Sequence, residues 1–419
     1  MLFTFNNSMP AKTKSIRTKS NVKLTIVNTN KTLKAISLFS GMGGDSLGMK
    51  MAGVDVIAYN EFDKHAIASH EANFPGCQLI VSNGSGGSGS GGSGSGGGSN
   101  DIAKVEDEVL TKYNGVVDLI FAGFPCQGFS HGGKKLPEDP RNTLFREFVR
   151  VANNVRPKFV IGENVDGLLS RKTADGRNFI DVIQEAFDEI GYTLTWKVCH
   201  AVKHGVPQLR KRLIIVGVRN DVVAGADAFE FPEELNDGKT GSLPNLTNIV
   251  RYDLTGCAEV LPSLFDFADI PDECIMRNMD DDTLPVGGKD VHPYVRMKLD
   301  TDLSTVPFNS SGKNRQFNSL LSFGKRESPY HLEIVDVRAP SKTIICTYDH
   351  QPRLLVPVQN KTGSFVRTLL PDELKQIQGF PADFIVCGNV KQQIKQIGNA
   401  VPPPLIAEIV KQIRKIYEE

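Results

Sequence analysis

The sequence predicts an α/β protein, in which an open sheet is covered by helices and joined to a second, smaller and irregular region. In the first half of the chain, short apolar runs alternate with segments whose apolar residues recur at helical spacing. A glycine-rich turn at 40–44 follows the first apolar run. From about Val222 to Val337 the alternation stops and turn residues dominate. These observations predict one regular ligand-binding unit and a second unit of a different kind.

The composition is that of a large chain without a membrane signature. Its 419 residues suggest two or three structural units, and 40% hydrophobic residues suffice for a sizeable core. No run of about eighteen apolar residues occurs, and the first residues are too few and too polar-flanked for a signal peptide. Seven cysteines, an odd number, favour free thiols in a reducing compartment. We therefore expect a cytoplasmic protein that does not bind a membrane.

Residues 1–33 form a basic tail. Residues 1–34 contain basic side chains and no acidic one, although the net charge of the whole chain is zero. Both a solvated tail and an arm that adds sequence-independent phosphate contacts agree with this composition. The basic residues are Lys12, Lys14, Arg17, Lys19, Lys23, Lys31 and Lys34.

The segment from Gly84 to Ser99 contains only glycine and serine. This is the composition of an engineered flexible linker, and sixteen such residues span roughly 20–24 Å as a coil. We exclude the segment from the fold prediction. We expect it to cross a surface loop, either in place of a native insertion or between fragments made separately.

The first unit reads as a strand, a turn, a helix and a second strand. These elements are predicted at 35–39, 40–44, 45–52 and 54–59, and Glu61 follows the second strand. Glycines in such a turn allow a ligand to approach the backbone, and a carboxylate at this distance can accept hydrogen bonds from a ribose. The glycine spacing is not G-x-G-x-x-G, which disfavours a nicotinamide cofactor. The unit therefore predicts nucleoside binding.

Cys126 follows the apolar run 116–122, which is predicted to be a buried strand. Pro125 restricts the backbone before the thiol, and Gly128 permits a turn after it. A lone cysteine is most often a small buried hydrophobe. Its place on a loop at the end of a strand favours a displayed thiol instead.

Further elements continue the same pattern. Helices are predicted at 142–154 and 181–190, and strands at 159–162 and 213–218. Glu163 ends the first of these strands, on the rim where open α/β sheets bind ligands. Arg210 and Arg212 precede the second, and their alternation predicts that both project to one face, where they can hold a phosphate or a base oxygen. A salt-bridged loop carboxylate and solvated arginines are the simpler alternatives.

The region after Val222 has an uneven charge. Its first portion is acidic, with three aspartates at 280–282, whereas residues 291–330 are more basic. The loops at 310–316 and 322–326 are candidates for reaching a DNA groove, where Arg suits guanine and Asn or Gln suits adenine. Contacts with phosphate or water are equally compatible with these residues. No particular base sequence follows from this pattern.

Together, these motifs resemble those of the cytosine-C5 DNA methyltransferases, in particular the bacterial and viral modification enzymes. The resemblance covers almost everything outside the tail, the linker and the middle of the second half. Its blocks appear in the family's order: Phe39-Ser40-Gly41-Met42-Gly43-Gly44, Pro125-Cys126-Gln127, Glu163-Asn164-Val165, Gln208-Leu209-Arg210-Lys211-Arg212, then Arg367, Glu373, Gln378-Gly379-Phe380-Pro381, and Gly398-Asn399-Ala400-Val401-Pro402.

The resemblance implies a Rossmann-like sheet that binds S-adenosylmethionine, and a second, smaller irregular target-recognition domain. The catalytic domain is expected at 34–221 and 386–419, and the target-recognition domain with its hinge at 222–385. Glu61 is the expected partner of the ribose, and Asp101 that of the adenine amino group. The full set of expected cofactor contacts is Phe39, Gly41, Met42, Gly43, Gly44, Glu61, Phe62, Asp101, Ile102, Pro125, Leu144, Asn399, Ala400 and Val401.

The resemblance also implies a reaction. The thiolate of Cys126 adds to C6 of a cytosine, which makes C5 nucleophilic. Glu163 serves as the acid at N3, and Arg212, with Arg210, holds O2 and the nearby phosphate. The base must leave the duplex to reach such a site.

Double-stranded DNA is the expected partner, and we expect a monomer with no obligate protein partner. A relative with this catalytic core modifies tRNA, so an RNA methyltransferase is one alternative, and a catalytically silent DNA-binding protein is another. The long region 222–337 favours a duplex DNA substrate. The expected DNA contacts lie in the loop after Cys126 and in the target-recognition region: Ser130, Lys134, Lys135, Lys313, Asn314, Arg315, Lys325 and Arg326.

Overall fold

The computed structural model describes residues 32–83, 99–125, 144–173, 175–222, 229–234, 243–285, 290–301, 319–326 and 331–418. No helix in these ranges is both long and apolar enough to cross a membrane. The basic tail, most of the Gly/Ser segment and the loop that begins at Cys126 lie outside them.

The described part of the first half forms a seven-stranded sheet in the order β3–β2–β1–β4–β5–β8–β6. Strands β1 to β5 pair in parallel, whereas β8 runs antiparallel to both β5 and β6. The strands are β1 (Lys34–Leu38), β2 (Asp55–Asn60), β3 (Gln78–Leu79), β4 (Leu119–Ala122), β5 (Phe159–Asn164), β6 (Tyr192–His200) and β8 (Lys211–Arg219). This sheet confirms the predicted α/β class.

Helices cover both faces of this sheet. Helix α4 shows the physical reason, because its apolar residues Phe145, Phe148 and Val151 lie on one stripe and are buried. Asp63 caps the start of helix α2, because its carboxylate accepts a hydrogen bond from the backbone N–H of His65 at 2.9 Å. The helices of this half are α1 (Gly44–Met51), α2 (Lys64–Asn73), α3 (Asp107–Thr111), α4 (Leu144–Val155) and α5 (Phe179–Asp188).

The described part of the second half contains a sheet of short strands. Its order is β11–β12–β14–β15–β9, and β10 also pairs with β14. The strands are β9 (Ala258–Glu259), β10 (Met276–Asn278), β11 (Leu321–Phe323), β12 (Leu332–Ile334), β14 (Leu354–Asn360) and β15 (Gly363–Thr368). Helix α6 spans Pro293–Leu299.

The two sheets are joined both by a strand pairing and by the returning chain. Strand β7 (Gln208–Leu209) pairs in parallel with β13 (Ser341–Lys342), and the chain returns from the second sheet through three helices. These are α7 (Pro371–Ile377), α8 (Val390–Asn399) and α9 (Pro403–Glu418). Helix α8 contributes to the core of the second sheet, and α9 to the core under the first. The predicted domain boundary at residue 386 lies just ahead of α8 and stays a prediction.

A buried ion pair ties β15 to α7. The guanidinium of Arg367 donates to both carboxylate oxygens of Glu373, at 2.7 and 2.8 Å, and both side chains are almost fully enclosed. Glu373 also accepts hydrogen bonds from the backbone N–H groups of Leu370 and Arg251. The bidentate geometry and these further donors satisfy the carboxylate inside the core.

Candidate active site

Three loops meet at the carboxyl ends of β1, β4 and β5. Gly123 follows β4, and a β-carbon built on it would lie 3.7 Å from Oε2 of Glu163 and 3.7 Å from the carbonyl oxygen of Phe39. Glu163 is the penultimate residue of β5, and Phe39 directly follows β1. The predicted acid, the predicted cofactor turn and the chain leading to Cys126 are therefore brought to one place.

Asn164 holds the backbone that leads to the thiol. Its side-chain amide donates to the carbonyl oxygen of Phe124 at 3.1 Å, and Phe124 is itself buried. Pro125 follows and is partly exposed. This contact restrains the chain two residues before Cys126, which lies outside the described residues.

Glu163 and Arg212 form an ion pair. Nε of Arg212 lies 2.7 Å from Oε1 of Glu163, and both side chains keep a small exposed fraction, 15% and 13%. Strands β5 and β8 are antiparallel neighbours, which brings the end of one to the start of the other. The pair is open enough to meet a ligand and enclosed enough for its charges to act strongly.

Arg210 has different surroundings from Arg212. It is fully buried between β7 and β8, and its guanidinium donates to the carbonyl oxygens of Ile344, Gly398 and Ala400 at 2.9, 3.1 and 3.1 Å. Burial lowers the pKa of this guanidinium well below its ordinary value. The predicted catalytic role of Arg210 gains no support from these contacts, which direct its donors to the backbone.

The glycine turn and Glu61 are in direct contact. The carboxylate of Glu61 accepts hydrogen bonds from the N–H groups of Gly41 at 2.7 Å, Phe62 at 2.7 Å and Asp63 at 2.8 Å. Phe39 and Gly41 have positive φ angles of 54° and 55°. A phenylalanine in this region is strained, as residues next to ligand sites often are.

The turn is open on one side and closely packed on the other. A β-carbon on Gly41 would meet no atom within 4 Å, whereas one on Gly44 would lie 2.4 Å from the carbonyl oxygen of Val401. The side chain of Met42 is fully buried in the core of the second sheet. Met42 can therefore offer a ligand its backbone but not its side chain.

The remaining predicted cofactor residues differ in their exposure. Phe62 is 75% exposed, and Asn399 is exposed at the end of α8. Leu144 is partly buried, whereas Ile102, Ala400 and Val401 are buried. Asp101 is partly exposed, and its carboxylate accepts a hydrogen bond from the N–H of Ala103 at 3.2 Å. An exposed ring, two carboxylates and open space above Gly41 fit a nucleoside ligand.

Few of the expected DNA contacts fall within the described residues. Lys325 is exposed and Arg326 is half-buried just after β11, at one edge of the second sheet. The others lie outside the described ranges: Ser130, Lys134, Lys135, Lys313, Asn314 and Arg315.

Asp45 begins the helix predicted at 45–52 and was not among the predicted site residues. It is enclosed in the first turn of α1, where its carboxyl accepts a hydrogen bond from the hydroxyl of Ser37 on β1. Burial raises the pKa of Asp45 to about 7, and Glu163 adds a smaller effect of the same sign. Its position one residue after the glycine pair was the available signal.

Comparison with known proteins gives a consistent result. The family model described as C-5 cytosine-specific DNA methylase matches residues 33–415. Type II methyltransferase M.Eco47II of Escherichia coli is 30% identical over 406 residues, which cover 93% of this chain and 81% of that protein. Type II methyltransferase M.PspPI of Psychrobacter sp. is 31% identical over 395 residues, covering 92% of this chain and 80% of that protein.

A similar fold occurs among solved structures. A putative DNA modification methyltransferase encoded within an Escherichia coli prophage superposes with a TM-score of 0.56 and 21% identity, covering 93% of this chain and all of that one. At this identity the likeness concerns the fold alone.

Proposed function

The chain belongs to the C-5 cytosine-specific DNA methylase family, and from this premise we propose that it methylates C5 of a flipped-out cytosine, in a short duplex sequence, through a covalent bond between Cys126 and C6. The observation that carries the proposal is the ion pair of Glu163 and Arg212, 2.7 Å apart, beside the strand end that leads to Cys126. An acid and a guanidinium this close together can meet the neighbouring N3 and O2 positions of one pyrimidine.

The residues present fit S-adenosylmethionine. The backbone of Gly41 to Gly44, the carboxylates of Glu61 and Asp101, and the exposed ring of Phe62 would hold it. When bound, S-adenosylmethionine supplies an electrophilic methyl group.

The chain's own residues would activate the base. The thiolate of Cys126 forms a bond to C6, and the displaced ring electrons move toward N3. Glu163 delivers a proton at N3, and Arg212 donates hydrogen bonds to O2 and balances the developing charge. Once C5 carries the methyl group, water takes the C5 proton, and the released electron pair re-forms the C5–C6 double bond and expels the Cys126 thiolate. The N3 proton returns to Glu163, which restores the ring. The base reaches these groups only after it leaves the duplex.

A covalent trap tests the role of Cys126. When the methyl donor is present, 5-fluorocytosine at the target of a DNA duplex receives the methyl group at C5 but has no C5 proton to lose, so the Cys126–C6 bond should persist. We expect a complex stable to denaturation with the unmodified enzyme and none with Cys126→Ala. The matched control is Cys387→Ala, which removes a half-buried thiol elsewhere.

The outcome that would contradict the mechanism is labelled-methyl transfer that survives in Cys126→Ala. Bisulfite sequencing of plasmid exposed to the enzyme identifies the modified cytosine and its sequence context. Methyl incorporation into tRNA but not into duplex DNA would contradict the proposed substrate instead.

A further inference from the structure

Gln208 and Arg210 both bind the backbone of Ile344, which lies in the segment just after β13 that we call the hinge. The side-chain oxygen of Gln208 accepts a hydrogen bond from the N–H of Ile344 at 2.9 Å. Arg210 donates to the carbonyl oxygen of the same Ile344 at 2.9 Å. Strand β7, which contains Gln208, pairs with β13 just before that hinge residue.

The same two side chains also bind the ends of two helices. Gln208 donates to the side-chain oxygen of Gln378 at 2.5 Å and to the carbonyl oxygen of Ile377 at 3.4 Å, at the end of α7. Arg210 donates to the carbonyl oxygens of Gly398 and Ala400 at the end of α8. These terminal carbonyls lack helical partners and carry the negative end of the helix dipole.

The contacts of Gln208 and Arg210 with the ends of α7 and α8, which we call the junction, continue to the cofactor turn. Gln378 donates to the carbonyl oxygen of Ala400, and Val401 lies directly against Gly44 at the start of α1. There is no room for even a β-carbon between them, since one built on Gly44 would lie 2.4 Å from the Val401 carbonyl oxygen. A displacement of residues 398–401 therefore displaces the backbone that faces the cofactor.

We propose that Gln208 and Arg210 are positioning residues that hold the turn 398–401 and the hinge at Ile344 in register with the catalytic pair, and so set the affinity for the cofactor. Arg212 follows two residues later and contacts Glu163. The short stretch from Gln208 to Arg212 thus has two tasks: its buried side chains fix the cofactor side, and Arg212 meets the base. The inference rests on the proposed function.

The test separates these tasks by measuring binding and turnover independently. Binding of S-adenosylhomocysteine, measured by calorimetry without DNA, should weaken at least tenfold in Arg210→Met and by less in Arg210→Lys. A lysine supplies one point charge in place of a fork that reaches three carbonyls. Turnover at saturating cofactor should recover substantially in both variants. Arg212→Lys should show the opposite split, with affinity close to that of the unmodified enzyme and turnover at least tenfold lower.

A double-mutant cycle tests the junction itself. Gln208→Ala and Gln378→Ala should each weaken binding severalfold, and the double variant should lose less than the two losses combined, because both changes break the shared Gln208–Gln378 contact. Fully additive losses would overturn the inference, and so would Arg210→Lys that binds normally but turns over slowly. If Arg210→Met does not fold, the lysine variant and the cofactor-induced shift in melting temperature carry the test. Failure of the unmodified enzyme to bind S-adenosylhomocysteine would contradict the proposed function rather than this inference.

Discussion

Two buried polar residues beneath the glycine turn have strongly shifted pKa values. Asp45 is enclosed beside Ser37, and nearby His70 is enclosed between Ser46, whose hydroxyl lies 3.0 Å from Nε2, and the ring of Tyr59, which stacks on it at 3.7 Å. Burial raises the pKa of Asp45 to about 7 and lowers that of His70 to about 3. Burial therefore favours the neutral form of both groups.

The two shifts have opposite effects on stability. The stabilising effect of protonated Asp45 is complete below about pH 4 and is lost as the pH rises toward 7, the pKa in the folded chain. Neutral His70 has the opposite effect. Its contribution to the unfolding free energy is complete above about pH 6.5 and is lost as the pH falls toward 3. Between these limits the two slopes offset each other.

Asp45→Asn should isolate one of these slopes. The unfolding free energy of the variant relative to that of the unmodified chain should rise between pH 4 and pH 7, by up to about 1.4 kcal/mol per pH unit, and then level off. The contribution of His70 is common to both chains and cancels. Urea unfolding at pH 5, 6, 7 and 8 measures the difference. A difference that does not change with pH would contradict the assignment.

At the scale of elements, the glycine turn is shaped by what packs beneath it. Gly43 has a φ of 94°, and a β-carbon there would lie 2.5 Å from a ring carbon of Phe74 and 3.0 Å from one of His70. Gly76 has nearly the same φ, 92°, in the turn after α2, but a β-carbon there would meet nothing within 4 Å. Both positions have a positive φ, at which an added side chain is strained, and they differ in the contacts that a β-carbon would make.

Gly76→Ala and Gly43→Ala therefore form a matched pair. The first should cost about 1–2 kcal/mol of unfolding free energy, because alanine is strained at positive φ. The second should cost about 1–3 kcal/mol more, because the rings of Phe74 and His70 must move. Gly43→Ala should also weaken cofactor binding, and Gly76→Ala should leave it unchanged. Chemical denaturation and calorimetry provide both numbers, and equal costs would show that the packing beneath the turn is unimportant.

Across the whole molecule, helix α2 joins the cofactor side to the returning chain. Ser69 donates to the side chain of Gln396 at 2.7 Å and accepts from the N–H of Cys387 at 2.8 Å. Asn73 exchanges hydrogen bonds with both backbone groups of Ile385, at 2.8 and 2.9 Å. These contacts bridge more than 300 positions of sequence, so the two sheets are connected at α2 as well as at β7 and β13.

The Gly/Ser segment enters and leaves the fold at neighbouring residues. The N–H of Ser82 donates to the carbonyl oxygen of Ser99 at 3.0 Å, and the N–H of Ser99 donates to the hydroxyl of Ser82 at 2.7 Å. Asn60 donates to the carbonyl oxygens of Ile80 and Asn100, one on each side of the segment. The flanks are thus joined by their own contacts, between the predicted cofactor residues Glu61 and Asp101.

Doubling the length of this segment should therefore have little effect. Closing a loop twice as long costs about 0.6 kcal/mol of unfolding free energy, and the cofactor affinity should not change. Denaturation and calorimetry on the lengthened chain check this. A tenfold loss of affinity would mean that the segment takes part in the cofactor site.

Most of the first sheet was accessible from local pattern. The predicted strand at 35–39 is found at Lys34–Leu38, and the predicted helix at 45–52 is found at Gly44–Met51. Strand β6 and helix α2 were not predicted. The polar side chains Ser69, His70 and Asn73 obscure the apolar stripe of α2, and their partners lie in other parts of the chain. Strands β9 to β12 of the second sheet were also missed, since runs of two or three residues carry no periodicity.

By itself, the sequence determined the α/β class, the order of the motifs and the candidates for thiol, acid and carboxylate, because these depend on periodicity and on residue type at strand ends. Only the tertiary structure decided that Arg212 meets Glu163 while Arg210 is buried against three carbonyls. Two arginines separated by one residue look equivalent in a sequence. What distinguishes them is their neighbours: β5 presents Glu163 to Arg212, whereas Ile344 and the end of α8 surround Arg210 with carbonyl oxygens. Those neighbours come from distant parts of the chain.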